Sequence, residues 1–237
     1  RPRSASFTPA WTWPGTTDLA SARGGAAALR PPRGIRPLVF TLGLVPAAVW
    51  LARGLVDFDG GFGANPIEFL TRSSGFWTLS FLCLTLAVTP LRRLTGRPWL
   101  LKLRRMLGLF TYFYACLHVT TWVWFDQWFD PQAMIRDIVK RPFITVGFAA
   151  FVLLTPLALT STQAAIRRLG RRWQSLHRLI YPIALLALLH FWWHKAGKND
   201  FAVPIVFALV VAILLALRLG WWWRSARRRS AGLADPR

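Results

Sequence analysis

The sequence predicts an all-α fold: a polytopic membrane helix bundle of about six transmembrane helices, with both termini cytoplasmic. Three observations carry this. Apolar residues make up 54% of the chain and mean hydropathy is +0.36, which points to lipid as the solvent. The apolar residues fall in six runs, each near the roughly 20 residues that a bilayer core requires. The basic residues gather in alternate connections between those runs, as topology signals do.

The runs cover residues 37–56, 75–91, 106–125, 143–160, 173–193 and 201–223, separated by charged or Gly/Pro-bearing connections. Residues 1–35, rich in Pro, Gly, Ala and Arg, are expected to be a disordered cytoplasmic extension without the apolar core of a cleavable signal. Residues 36–223 form the membrane domain, and 224–237 a basic cytoplasmic tail. With the amino terminus placed inside, 23 of the 30 basic residues lie on the inner side. The outer side holds Arg53, Arg72, Arg136, Lys140, Arg141, Lys195 and Lys198. Acidic residues carry little topological weight, so this split decides the orientation.

A net charge of +21 can signal nucleic acid, but here the charges interrupt apolar runs rather than cover a polar folded face. Nucleic acid is therefore excluded as a partner, and membrane lipid is expected. Cys83 and Cys116 both sit inside apolar runs and are read as packing residues. Trp124, Trp128, Trp192, Trp193 and Trp221 to Trp223 fall at span boundaries, where amphipathic rings form belts.

The four histidines, His118, His177, His190 and His194, all lie in the third or fifth run. An intramembrane imidazole must find a partner: another helix, a proton path or a haem iron. Proton paths usually recruit Asp or Glu as well, and all nine acidic residues lie outside the runs or at their edges. The set therefore suits an iron porphyrin. A rise of about 1.5 Å per residue puts His118 about 21 Å beyond Arg104, His190 about 27 Å beyond Arg172 and His177 about 7.5 Å beyond it. His118 matches His190 in depth, and His177 addresses the other half of the membrane. His194, one turn further out, rivals His190 but is placed at the interface. His177 and His190 fall on different faces of a straight helix, and Pro182 between them is the expected kink. Tyr114, Thr120 and Thr121 are candidate partners of the His118 ring. The outer acidic residues Asp126, Asp130 and Asp137 are candidates for docking a partner, or simply for a solvated loop.

Several blocks carry a family resemblance. Arg104-Arg105-Met106-Leu107-Gly108-Leu109 leads to His118, and Trp173-Gln174-Ser175-Leu176-His177-Arg178-Leu179-Ile180-Tyr181 leads to His190. With them stand the stretches 65–71, 89–93, 137–142 and 159–163. Over residues 36–195 the chain resembles the ferric-reductase-like transmembrane family. The resemblance implies a b-type cytochrome whose haem histidines are His118, His177 and His190, with one haem; a second stays open, because Arg104 and Arg105 stand where relatives with two haems carry another histidine. It implies electrons taken from the quinone pool, or from a cytoplasmic flavin reductase, at a bacterial inner membrane. They pass to a soluble periplasmic molybdopterin enzyme that reduces methionine sulfoxide in damaged proteins, so the chain is an electron-transfer subunit without sulfoxide chemistry of its own. FMN is implied by resemblance only: Gly60-Gly61-Phe62-Gly63 reads as a loop turn, with no strand and helix after it. Competing readings are a transmembrane metalloreductase and a haem-free transporter or assembly factor.

Overall fold

In the computed structural model, residues 31–56, 62, 64–197 and 199–233 are described. Residues 1–30, 57–61, 63, Lys198 and the last four residues lie outside them, and with them most of the Gly60–Gly63 stretch read from sequence as a loop turn. The described chain is helical: α1 Ile35–Val56, α2 Pro66–Thr95, α3 Leu101–Thr121, α4 Pro131–Lys140, α5 Pro142–Leu159, α6 Gln163–Leu169, α7 Arg171–His177, α8 Ile180–Ala196 and α9 Ala202–Leu233. A single 3-10 turn, Pro98–Leu100, opens α3, and a π-helical turn, Trp122–Asp126, ends it. Among the described residues six stretches are long and apolar enough to cross a membrane: Ile35–Val56, Pro66–Thr95, Pro98–Asp126, Pro142–Leu159, Arg171–Ala196 and Ala202–Arg224.

Helix ends follow local chemistry. Asn65 caps α2 by accepting from the Glu68 amide at 3.0 Å, with Pro66 at the first position. At its other end, Gly96 adopts φ 66°, the left-handed conformation that terminates helices without a Cβ penalty. Asp130 caps α4 by accepting from the Gln132 and Ala133 amides at 2.8 and 3.2 Å.

α2 packs most extensively on α3, and α5 on α8. One apolar cluster joins α2, α3, α5, α8 and α9 through Leu82, Leu86, Ala115, Leu157, Ile183 and Val211. A second, built on Phe81, Leu103, Leu107, Phe110 and Tyr114, receives the inner face of α1. At Gly43 a Cβ would lie 2.5 Å from the Phe110 ring, so only glycine lets α1 approach α3 there. The buried Tyr114 hydroxyl donates to the Gly43 carbonyl at 2.7 Å and accepts from the Ala47 amide at 3.4 Å, entering the helical ladder beside Pro46. Large apolar side chains such as Leu55, Leu159, Leu209 and Ile213 point outward, which in water would be a liability and in lipid is the required surface.

The fifth span is interrupted. α7 stops at His177, two residues intervene, and α8 starts at Ile180. Pro182 has no amide to offer the Arg178 carbonyl, and that carbonyl accepts from Tyr181 instead at 3.1 Å. The expected kink is thus a break one turn ahead of the proline.

Candidate functional site

The structure brings His118 of α3 and His190 of α8 together, with ring centroids 6.0 Å apart and planes at 76°. Each ring is held from behind. His118 Nδ1 lies 2.9 Å from the Thr71 carbonyl on α2, with Ser74 Oγ at 3.3 Å. His190 Nδ1 lies 2.7 Å from the Phe143 carbonyl on α5. A carbonyl only accepts, so in both rings Nδ1 carries the proton and Nε2 presents a lone pair. No described residue bonds either Nε2. Metal–imidazole bonds of about 2 Å, with about 1 Å from each nitrogen to its ring centre, put two in-line rings about 6 Å apart.

Two glycines make room for this arrangement. A Cβ on Gly147 would stand 2.6 Å from His190 Nδ1, and one on Gly75 would stand 3.1 Å from His118 Cε1. Both rings therefore lie directly on the backbone of the neighbouring helix, α2 for His118 and α5 for His190.

Among the described residues no group of three or more His, Cys, Asp or Glu side chains gathers to hold a bare metal ion. A closed protein site for such an ion needs more donors than two. Two neighbouring imidazoles, each with its Nε2 left to ligate, suit a metal whose remaining positions are filled by a macrocycle.

His177 is not part of this pair. It closes α7 at the far end of the fifth span, 13 residues and about 20 Å of helix rise from His190. Its Nδ1 donates to the Trp173 carbonyl at 3.0 Å, its Nε2 lies 3.5 Å from Ser161 Oγ, and its ring stacks on Trp173 at 3.9 Å. The Trp173 indole donates in turn to the Thr160 carbonyl at 3.0 Å. His194 is exposed, its ring 5.8 Å from that of Phe143.

The ring partners are not those the sequence offered. Tyr114 fastens α1 to α3, Thr121 donates to the His118 carbonyl at 2.8 Å rather than to its ring, and Thr120 is exposed. Thr71, Ser74, Gly75, Phe143 and Gly147 do the positioning. The available signals were single glycines inside apolar runs, and the blocks 65–71 and 137–142, which end at or beside Thr71 and Phe143.

Asp137 also departs from its reading as a docking or solvated residue. It is buried, accepts from the Trp122 indole at 3.1 Å and the Gln127 amide at 2.9 Å, and pairs with Arg141 at 2.7 Å. A buried carboxylate persists only with such compensation. Here it ties the π-helical turn to α4 and to the start of α5, where Phe143 lies. Nearby, Trp128 and Phe129 take φ of 47° and 58° and expose their rings. The Lys195 ammonium, 2.5 Å from Asp200, clasps the connection between the fifth and sixth spans and holds the Asp200 carboxyl below its ordinary value.

Residues 74–188 match the family model described as ferric reductase like transmembrane component. The chain is 60% identical over 190 residues to the protein-methionine-sulfoxide reductase heme-binding subunit MsrQ of Bordetella pertussis, covering 80% of this chain and 91% of that one. It is 57% identical over 206 residues to the MsrQ protein of Herminiimonas arsenicoxydans (86% and 93% covered). With the MsrQ protein of Xanthomonas campestris pv. campestris it shares 50% over 174 residues (73% and 78% covered). A multi-pass helical bundle, aligned over most of its length with these relatives, belongs to the MsrQ family of ferric-reductase-like membrane proteins.

Proposed function

We propose that this chain is the haem-binding, electron-transferring membrane subunit of a bacterial protein-methionine-sulfoxide reductase system. The observation that carries the reading is the His118–His190 pair, with each Nδ1 committed to a backbone carbonyl and each Nε2 left to ligate. When bound, a b-type haem supplies one-electron exchange between ferric and ferrous iron. His118 and His190 would hold it through the two Nε2 atoms. The Thr71 and Phe143 carbonyls fix the tautomer and raise the basicity of each ligand nitrogen. Gly75 and Gly147 let the rings stand where those carbonyls reach them.

His177 serves the opposite half of the membrane, as a ligand on the path by which electrons arrive. The excess of basic residues in its connections supports a cytoplasmic position for that half at the inner membrane, with both termini on the same side. Electrons enter from the quinone pool or a cytoplasmic flavin reductase. They leave by the outer halves of the third and fifth spans to a periplasmic molybdopterin-dependent partner, where the sulfoxide is reduced.

Purified protein is expected to show a Soret band that is lost from His118→Ala and from His190→Ala. A colourless wild-type preparation, or a band that survives both substitutions together, overturns the assignment.

A further inference from the structure

The two members of the histidine pair belong to different helix pairs. α2 and α3 pack extensively on each other, as do α5 and α8, and the two pairs touch each other far less. Each pair carries one histidine together with the carbonyl that seats it: Thr71 of α2 holds His118 of α3, and Phe143 of α5 holds His190 of α8. The seats orient each ring within its own pair. How far apart the rings stand is set by whatever joins one pair to the other.

On the inner side of the rings that join is apolar. Tyr112 of α3 stacks on Phe151 of α5, with centroids 5.8 Å apart and planes at 7°. This contact lies about 9 Å of helix rise inward of His118 and about 6 Å inward of Gly147. On the outer side the join is the Asp137 carboxylate. Trp122, whose amide donates to the His118 carbonyl, reaches Asp137 from the end of α3 at 3.1 Å, and Gln127 reaches it at 2.9 Å. Asp137 stands on α4, which is fastened to the first turn of α5. Arg141 alone separates the two helices, its guanidinium pairs with Asp137 at 2.7 Å, and the Thr145 hydroxyl donates to the Ile138 carbonyl. Phe143 follows two residues after Arg141. Among the described residues Asp137 is the one buried carboxylate, and Gln127 is buried beside it. Bonds to an ionised acceptor are about twice as strong as neutral ones, and removal from water strengthens them further.

We propose that Asp137 is a positioning residue that holds the two helix pairs at the spacing their histidine rings require, 6.0 Å between centroids; this rests on the reading of His118 and His190 as haem ligands. Opening the clamp lets α3 and α5 part at their outer ends, where the rings lie, while each ring stays in its seat. The separation and mutual angle of the rings change, and the tautomer of each does not. Gly147→Ala acts differently, because it unseats one ring within its own pair.

The test uses the full chain purified with its haem. Asp137→Ala removes the acceptor of both donors. Trp122→Phe removes one donor, keeps an aromatic ring, and reports on the clamp if Asp137→Ala fails to assemble. Asp137→Asn keeps an oxygen for Trp122 and Gln127, and Asp130→Ala removes the cap of the same helix without touching a bond between the pairs. Two quantities are read: the rate of haem release to excess apomyoglobin, and the ferric low-spin paramagnetic resonance signal, whose g values follow the angle between axial ring planes. Asp137→Ala is expected to release haem about tenfold faster, the low end for loss of a group that orients a metal-bound histidine, with shifted g values. Trp122→Phe is expected to shift both in the same direction by less, and Asp137→Asn and Asp130→Ala to keep the wild-type signal. Release and signal unchanged in Asp137→Ala and Trp122→Phe overturn the proposal. An equal change in Asp130→Ala overturns it too, since loosening α4 would then suffice, and Asp137→Asn as damaging as Asp137→Ala overturns the hydrogen-bonded clamp. A wild type without haem overturns the underlying reading itself, and shows this before any variant is compared.

Discussion

Gly147→Ala adds a single methyl group to α5, and its effect can be worked from the structure. The new Cβ would sit 2.6 Å from His190 Nδ1, 2.8 Å from Cε1 and 3.1 Å from Cγ, where ordinary contacts begin at 3.4 Å. The ring must retreat by 3.4 − 2.6, or 0.8 Å. It is held by a 2.7 Å bond to the Phe143 carbonyl, one turn back on the same helix. A retreat along that bond takes Nδ1 to about 3.5 Å, outside hydrogen-bonding range. Losing the partner that orients a metal-bound histidine typically costs 10–100-fold in affinity. The helix itself does not suffer, because alanine favours an α-helix over glycine by about 1 kcal/mol. The assay is haem per protein in purified samples, from the Soret and reduced-minus-oxidised spectra, together with the unfolding midpoint. Gly75→Ala is the graded comparison: its Cβ would meet His118 at 3.1 Å and asks for only 0.3 Å of movement. Gly108→Ala, with Thr85 Cγ2 at 3.8 Å, is the silent control. Gly147→Ala should lose most of its haem, Gly75→Ala little, and Gly108→Ala none. If Gly147→Ala retains haem as wild type does, the backbone seat of His190 is not what positions the ligand.

Asp137→Asn should lower stability by roughly 1–2 kcal/mol, because charge-assisted bonds from Trp122 and Gln127 become neutral ones while Arg141 is left exposed to solvent, and Asp130→Ala, which removes a helix cap, should cost about 1 kcal/mol; thermal unfolding in detergent measures both. Tyr114→Phe should cost about 1–2 kcal/mol for the hydroxyl that bonds Gly43. Its Soret band should be unchanged, since the hydroxyl bonds Gly43 and Ala47 of α1 and neither histidine ring. His177→Ala should leave the His118–His190 spectrum in place while slowing reduction from the cytoplasmic side, measured by stopped-flow with a flavin reductase; loss of all haem in this variant would contradict the separation of the two ends. A carboxy-terminal fluorescent fusion should glow and an alkaline phosphatase fusion should be inactive; the opposite pattern reverses the direction of electron flow.

The spans were legible because a bilayer imposes a length and a solvent on every helix, and apolar runs of that length have no other use. The break in the fifth span was readable as a consequence of Pro182, though not its place at Arg178 and Leu179, which depends on which carbonyl the proline leaves unbonded. The histidine pairing was legible in depth, because rise per residue converts sequence position to height in the membrane. The ring partners were not. Thr71 and Phe143 act through backbone carbonyls, which every residue possesses, and their use depends only on which helix faces which. Tyr114 shows the same from the other side: a buried hydroxyl in the right span, spent on a different helix.

By itself, the sequence determined that this is a multi-pass membrane protein, which faces of its charge distribution differ, and which four imidazoles were available. Only the tertiary structure decided that His118 and His190 meet, that Gly75 and Gly147 make space for them, and that Asp137 faces inward. The reason is physical. Hydropathy and charge are read by the membrane one residue at a time, whereas a site is made by side chains and carbonyls from different helices, whose mutual rotation no single helix encodes.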